Sequence, residues 1–362
     1  MGFNCGIVGL PNVGKSTLFN ALTESVAAEA ANYPFCTIEP NTGKVIVPDP
    51  VLDELAAFEK SAKVIPAMLE IVDIAGLVKG ASAGEGLGNK FLGHIQAVDA
   101  IIHVVRCFED DNITHVNGRI DPVGDAEIID TELMLADLES AEKQIANLEK
   151  KARGQDKDAI KRLAIMNTIK ENLLGGIPVR VTLKGVDNAR DFHNFLTAKP
   201  VIFVLNVNEK DAKNGNEFTR LFCEKYSKEP SIIISSKIEM EIAQLTDPAE
   251  KKLFLDDLGL AESGLSKIIK QGYATLGLET FYTVGPKEAH AWTIEIGSTA
   301  PTAAGRIHTD FEKGFIRAEI CRPDDWLRLG GEVAVKAAGL CRTVGKDYIM
   351  QNGDIMNVLF NN

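Results

Sequence analysis

Gly9-Leu10-Pro11-Asn12-Val13-Gly14-Lys15-Ser16, with Thr17 after it, lies between the apolar run Phe3 to Val8 and a helical pattern from Leu18 to Leu22. The spacing is G-x-x-x-x-G-K-[ST]. Its glycines let the backbone curl so that successive N–H groups face phosphate oxygens, at the start of a helix whose dipole favours the same charge. Lys15 then reaches the β- and γ-phosphates, and the Ser16 hydroxyl binds Mg²⁺. In a chain of 362 residues the four fixed positions arise by chance with a probability of about 1%. The strand before and the helix after are the context the motif requires, which leaves little room for an ordinary glycine-rich turn. A dinucleotide fold fits worse, because the first turn lacks G-x-G-x-x-G.

Outward from this loop, short apolar runs alternate with helical patterns: Val45 to Val47, Met68 to Val72, Ile101 to Val105, Val201 to Leu205 and Ile232 to Ile234. Runs of this kind are strands buried on both faces, and helices between them imply a doubly wound parallel sheet. Asp73-Ile74-Ala75-Gly76 closes the strand Met68 to Val72, giving D-x-x-G at a carboxyl end, where ligands of open α/β sheets bind. Asp73 is expected to anchor Mg²⁺ through water and Gly76 to offer its N–H to a γ-phosphate. Thr37 lies in the intervening segment, where switch nucleotidases place a second Mg²⁺-binding hydroxyl; a loop threonine without a ligand is the alternative. Asn206-Val207-Asn208-Glu209 and Ser235-Ser236-Lys237 follow the last two runs, where guanine-specific switch proteins carry N-K-x-D and S-A-K. Here Val207 replaces the lysine and Glu209 the aspartate.

The gap between Val105 and Val201 is too long for one crossover. Met134, Leu138, Ala141, Ile145, Leu148 and Ala152 follow the a/d period of a coiled-coil seam, and Ala159, Leu163, Met166, Ile169 and Leu173 run back after a polar turn. We read a helical hairpin projecting from the sheet, the alternative being an amphipathic pair packed on it. From about Leu278 four strand patterns separated by turns mark a further α+β module. The expected division is 1–124 with 200–277 for the nucleotide domain, 125–199 for the hairpin and 278–362 for the last module.

Of the residues 45% are apolar, enough for a core in each domain, and 39 Lys and Arg against 51 Asp and Glu leave a net charge of −12. That balance argues against whole-surface affinity for nucleic acid but leaves room for a local basic patch. Lys143 to Arg162, the hairpin tip, holds seven basic and three acidic side chains, a concentrated positive charge that suits a phosphate backbone or, more blandly, a solvated helix face. The six cysteines are scattered, with no close pair for zinc or a disulfide, which reads as a reduced, cytoplasmic chain. No apolar stretch is long enough for a membrane span, and Gly6 stands where a myristoylation signal needs Ser or Thr.

The phosphate loop, Asn32-Tyr33-Pro34-Phe35-Cys36-Thr37-Ile38-Glu39-Pro40-Asn41, Asp73-Ile74-Ala75-Gly76-Leu77-Val78-Lys79-Gly80-Ala81 and Asn206-Val207-Asn208-Glu209 resemble the YchF group, also called Obg-like ATPases. So does the tail, His308-Thr309-Asp310-Phe311-Glu312-Lys313-Gly314-Phe315-Ile316 with Gly345-Lys346-Asp347-Tyr348. The resemblance spans the whole chain. It implies an α/β chain: a Ras-like P-loop nucleotidase domain, an inserted α-helical coiled-coil hairpin and a C-terminal TGS domain of β-grasp type. It also implies a Mg²⁺-dependent ATPase that associates with ribosomes, touching ribosomal RNA through the hairpin tip and the TGS domain. The nucleotide would then lie on Asn12, Val13, Gly14, Lys15, Ser16, Thr17, Gly76, Asn206, Val207, Glu209 and Ser235, with the metal on Ser16, Thr37 and Asp73.

Leu77 occupies the place of the water-positioning glutamine of Ras-like enzymes, so slow turnover is expected. The candidate replacement is His115, just beyond the strand Ile101 to Val105 and so at the nucleotide rim; a surface or hydrogen-bonded histidine is the alternative. His94 and His103 read as packing residues. Asn12 matches phosphate loops of the form G-x-P-N-x-G-K-S, in which the asparagine helps hold K⁺ near the β/γ bridge; otherwise it caps its own turn. With the guanine clamp altered at Val207 and Glu209, Asn206 is left to bond the N6/N7 edge of adenine. ATP is therefore expected over GTP, in a switch that binds ribosomes and regulates translation or a stress response. Two rivals are a GTPase assembly factor for the large ribosomal subunit and a phosphotransferase acting on a small acceptor.

Overall fold

The computed structural model describes residues 3–29, 38–39, 41–74, 87–115, 118–186, 189–192 and 194–361. Two compact units divide the chain: Met1–Ser25, Glu39–Gly43 and Glu70–Ile268 form one, and Val26–Ile38, Lys44–Leu69 and Ile269–Asn362 the other.

The strands up to the middle of the chain are β1 Asn4–Val8, β2 Ile38–Glu39, β3 Thr42–Ile46, β4 Val64–Ile65, β5 Met68–Asp73, β6 Ala100–Arg106, β7 Val201–Asn206 and β8 Ser231–Ile234. Among the described residues the first sheet runs β2-β3-β5-β1-β6-β7-β8. From β5 to β8 every pairing is parallel. Every residue of β6 and β7 is buried, which is why their sequences are largely apolar, with His103 inside β6, rather than alternating. The strand order reverses on either side of β1, so the carboxyl ends of β1, β5, β6, β7 and β8 meet at one edge, the switch point where such sheets bind ligands. His103 is buried in β6 beside Phe203, and burial lowers its pKa to about 3. It is the packing residue expected. His94 is not: it lies on the exposed face of its helix.

The helices used below are α1 Lys15–Glu29, α2 Pro50–Glu59, α3 Leu87–Ala97, α4 Pro122–Arg153 and α5 Lys157–Leu174. Asp121 caps α4 by accepting from Gly124 N, with Pro122 in the first turn, and Asp156 caps α5 by accepting from Asp158 N and Ala159 N. Between them Gln155 takes a left-handed φ of 61° to reverse the chain. Ala141, Ile145, Met166, Ile169 and Leu173 form the hairpin's own core, closed at its root by Val179, Phe192 and Phe195. The first turns of α4 bury Ala126, Ile129 and Leu133, and the helix packs on β6 and the helix Glu217–Lys225 as well as on α5. Asp137 pins the helix midway, accepting from Leu196 N at 2.7 Å, Thr197 N at 2.7 Å and Thr197 Oγ1 at 2.6 Å.

In the second unit β9 Leu278–Val284, β10 Ala289–Glu295, β11 Phe315–Cys321, β12 Arg342–Val344 and β13 Ile355–Phe360 join β4 in a mixed sheet ordered β12-β11-β13-β9-β10-β4. A helix, Ala300–Ile307, lays Ala300, Ala303 and Ala304 on its core. Two expectations are corrected here. Residues 44–69, assigned from sequence to 1–124, pack in this unit: Tyr282 Oη donates to Asp49 Oδ2 at 2.8 Å, Trp326 Nε1 donates to Glu59 Oε1 at 2.9 Å, and β4 pairs with β10. The apolar face of α2 (Leu52, Leu55, Ala56) announced that it would be covered but not by what. Cysteines 321 and 341 are likewise a close pair, joined in a disulfide. The register Ile320↔Arg342 sets the next residues of the two antiparallel strands opposite each other, a proximity that a spacing of 20 conceals. No helix among the described residues is long and apolar enough to cross a membrane.

Candidate active site

Positive φ values shape the loop after β1, among them Asn12 at 63° and Gly14 at 100°. Asparagine tolerates the left-handed region, and any Cβ at Gly14 would strike the Asn206 side chain. Leu18 N donates to Gly14 O at 2.9 Å, closing the first turn of α1. Lys15 is 8% exposed and its Nζ donates to Leu10 O at 2.7 Å. Burial lowers its pKa to about 8, against the attraction of Asp73, so the ammonium is an ion in need of a better counter-charge. Ser16 and Thr17 are exposed at the mouth.

Asp73, at the end of β5, is raised above the usual carboxylate range by burial, with Lys15 opposing. Its Oδ1 is buried and has no hydrogen-bond partner among the described residues. A buried carboxylate oxygen without a donor, close enough to Lys15 to feel its charge, with the exposed Ser16 hydroxyl on the residue after that lysine, fits a hard cation that takes oxygen ligands and brings its own waters. Thr37 and Gly76, the other residues expected near the metal and the γ-phosphate, lie outside the described residues.

On the far side of the loop a cleft of about 550 Å³ is lined by Asn12, Gly14, Thr17, Phe108, Asp110, Ile113, Asn206, Val207, Asn208, Glu209, Ser235, Ser236 and Lys237. It brings together the three separated motifs expected to meet there. Asn206 is a brace: its Nδ2 donates to Val13 O at 2.9 Å and its Oδ1 accepts from Ser236 N at 2.9 Å. These two bonds leave Asn206 one Nδ2 hydrogen and one Oδ1 lone pair, the donor and acceptor that the expected reading of the adenine N6/N7 edge requires. Val207 is buried and its N–H extends the sheet to Ile234 O at 2.8 Å. Glu209 pairs with Lys237.

A third wall comes from the segment after β6. Asn12 Nδ2 donates to Thr114 O at 3.1 Å, which ties this segment to the phosphate loop. Arg106, 1% exposed, holds it in shape by donating to the carbonyls of Phe108, Asp110 and Ile113 at 3.1, 3.3 and 2.9 Å. His115 follows directly but turns inward: it is 8% exposed, with Nε2 at 2.8 Å from Asp125 Oδ2 in the first turn of α4. The expectation of a histidine at the open rim is thus corrected to one beneath it. Sequence reasoning missed Arg106, Phe108, Ser236 and Lys237. Ser236 and Lys237 left a trace there, as the second and third residues of Ser235-Ser236-Lys237.

A family model described as a 50S ribosome-binding GTPase matches residues 4–167, and the model of the YchF GTPase C-terminal domain, described as a protein of unknown function, matches residues 278–361. The Ribosome-binding ATPase YchF of Haemophilus influenzae is 53% identical over 367 residues, covering 100% of both chains. The chain belongs to the YchF family. Other YchF relatives include the Ribosome-binding ATPase YchF of Bacillus subtilis, 49% identical over 368 residues and 100% of both chains. Obg-like ATPase 1 of Pongo abelii is 48% identical over 98% of this chain and 92% of its own. The solved YchF GTPase of Schizosaccharomyces pombe superposes with a TM-score of 0.87 at 39% identity, covering 99% and 98% of the two chains. A P-loop nucleotide hydrolase of the YchF family thus accounts for the loop, the sheet edge and the C-terminal unit together.

Proposed function

We propose that the chain is an ATP-hydrolysing, Mg²⁺-dependent switch that works in the cytoplasm, binds ribosomes and regulates translation or a stress response. The observation that carries this reading is identity along the whole length to proteins named ribosome-binding ATPases, in a chain whose phosphate loop is intact. That same identity weighs against a GTPase assembly factor. The N–H groups of Val13 to Thr17, with Gly76, receive the phosphates, and Lys15 trades Leu10 O for a phosphate oxygen. Ser16, Thr37 and, through water, Asp73 would hold Mg²⁺, which neutralises charge on the β- and γ-oxygens. Asn12, its Nδ2 fixed on Thr114 O, keeps Oδ1 for K⁺.

His115 supplies the water-positioning group that Leu77 cannot, once its segment lifts it from Asp125. Asn206, Val207, Glu209 and Ser235 bound the base. In functional terms the chain has three parts: 1–124, apart from residues 44–69, with 200–277 for the nucleotide, the hairpin 125–199, and 278–362 joined by 44–69. The exposed basic tip, Lys143 to Arg162, and the C-terminal TGS part contact ribosomal RNA, by charge rather than by sequence. Hydrolysis measured with ATP and GTP, each with and without purified ribosomes, tests the reading. Turnover of ATP above GTP, with co-sedimentation on ribosomes, is expected. GTP preference would bring back the assembly-factor reading, and failure to sediment with ribosomes would remove the partner.

A further inference from the structure

Glu209 and Lys237 stand at matching heights above the sheet. The parallel strands β7 and β8 pair with Asn206 opposite Ile234, and each of the two residues lies three positions past its strand's partner. Their side chains meet as an ion pair at the rim of the cleft that also contains Gly14, Thr17 and Asn206. From this juxtaposition we propose that Lys237, oriented by Glu209, is a specificity-determining residue that selects adenine by donating a hydrogen bond to its N1 edge. The inference rests on the ATP reading above and supplies its physical cause.

A carboxylate alone at this place accepts from guanine N1–H and from the exocyclic amine. Here that carboxylate is occupied by an ammonium, which carries three N–H donors and accepts nothing; the pair uses one of them. The polarity of the rim is thereby inverted. Adenine N1 is an acceptor and meets a donor, whereas guanine turns N–H groups toward the same ammonium. The Glu209 carboxylate also holds Lys237 above the ordinary lysine range, so the donor stays protonated at neutral pH. With side chains 71% and 48% exposed, the pair adds little to stability, and its effect lies in where it holds the ammonium. A base entering the cleft displaces water from it and strengthens the contact.

The test is equilibrium titration of the full chain with Mg²⁺ and non-hydrolysable ATP, GTP and an ATP analogue carrying C–H in place of N1. Wild type should bind ATP tightest and lose roughly tenfold on the N1-lacking analogue, the size of one hydrogen bond to a charged donor. Lys237→Met, which keeps the stem, should lose about the same factor for ATP, bind the analogue as wild type does, and keep or tighten GTP, because the freed Glu209 carboxylate can accept from guanine. Glu209→Gln, freeing the ammonium, should narrow the preference without abolishing it. Retained GTP affinity shows that each variant is folded. An unchanged ATP-to-GTP ratio in Lys237→Met, or an equal loss for both nucleotides, overturns the inference while the ATP reading stands. Tighter GTP binding by the wild type overturns both.

Discussion

The Arg106 guanidinium lies 4.7 Å from the centre of the Phe108 ring and donates from Nε to the Phe108 carbonyl at 3.1 Å. One buried cation thus folds the segment 108–113 around itself and presents Phe108, Asp110 and Ile113 to the cleft. Lysine has no planar fork with which to reach three carbonyls. Arg106→Lys should lower stability by about 1–3 kcal/mol and weaken ATP binding by roughly tenfold, because carbonyls lose donors and the cleft loses a fixed wall. Denaturant unfolding and nucleotide titration measure the two effects. Native affinity in the variant would show that the wall holds without its arginine.

Lys15 gives a pH dependence with a definite sign. Its pKa in the nucleotide-free chain is lowered to about 8, and phosphates bind the charged form and raise it again. Affinity for Mg-ATP should therefore be full below that pH and fall above it, toward tenfold per unit, until the raised value in the complex is passed. Titrations across about pH 6.5 to 9.5 read this directly. Lys15→Ala or Ser16→Ala should abolish turnover while the sheet persists, and wild-type hydrolysis by either folded variant would end the phosphate-loop assignment.

His115→Ala should reduce kcat by roughly 10- to 1,000-fold with nucleotide affinity nearly unchanged. An unaltered kcat leaves His115 as the inward, Asp125-bound residue it is at rest and nothing more. Exchanging K⁺ for Na⁺ should slow the wild type if Asn12 holds the cation, and equal rates in the two salts would return Asn12 to shaping its turn.

Reversal of Lys150, Lys151 and Arg153 to glutamate at the exposed hairpin tip should weaken sedimentation with ribosomes and flatten its salt dependence. Basal ATPase activity should survive. Unchanged sedimentation across a salt series would make the tip an ordinary solvated end.

Features set by local pattern were legible in the sequence. β6 and β7 showed as apolar runs because both their faces are covered, the hairpin showed through its a/d stripe, and the phosphate loop showed because only glycine suits the place where Gly14 meets Asn206. What stayed hidden depends on residues brought together by the fold. Arg106 acts on backbone carbonyls, which every residue carries. Lys237 finds Glu209 only because β7 and β8 are neighbours, and cysteines 321 and 341 meet only through the register of β11 and β12. The bracing role of Asn206, on Val13 O and Ser236 N, was equally hidden, because both partners are backbone groups.

No glycine or proline interrupts α4 between Asp125 and Arg153, so this stretch of the 32-residue helix is mechanically one lever. Its pivot is Asp137, clamped on Leu196 and Thr197. At 1.5 Å per residue the arm from the pivot to Asp125 is roughly 18 Å and the arm to Arg153 roughly 24 Å. The helix thus runs unbroken from the basic end, past the Asp137 clamp, to a root packed on β6. The residue found at that other end is Asp125, which grips His115.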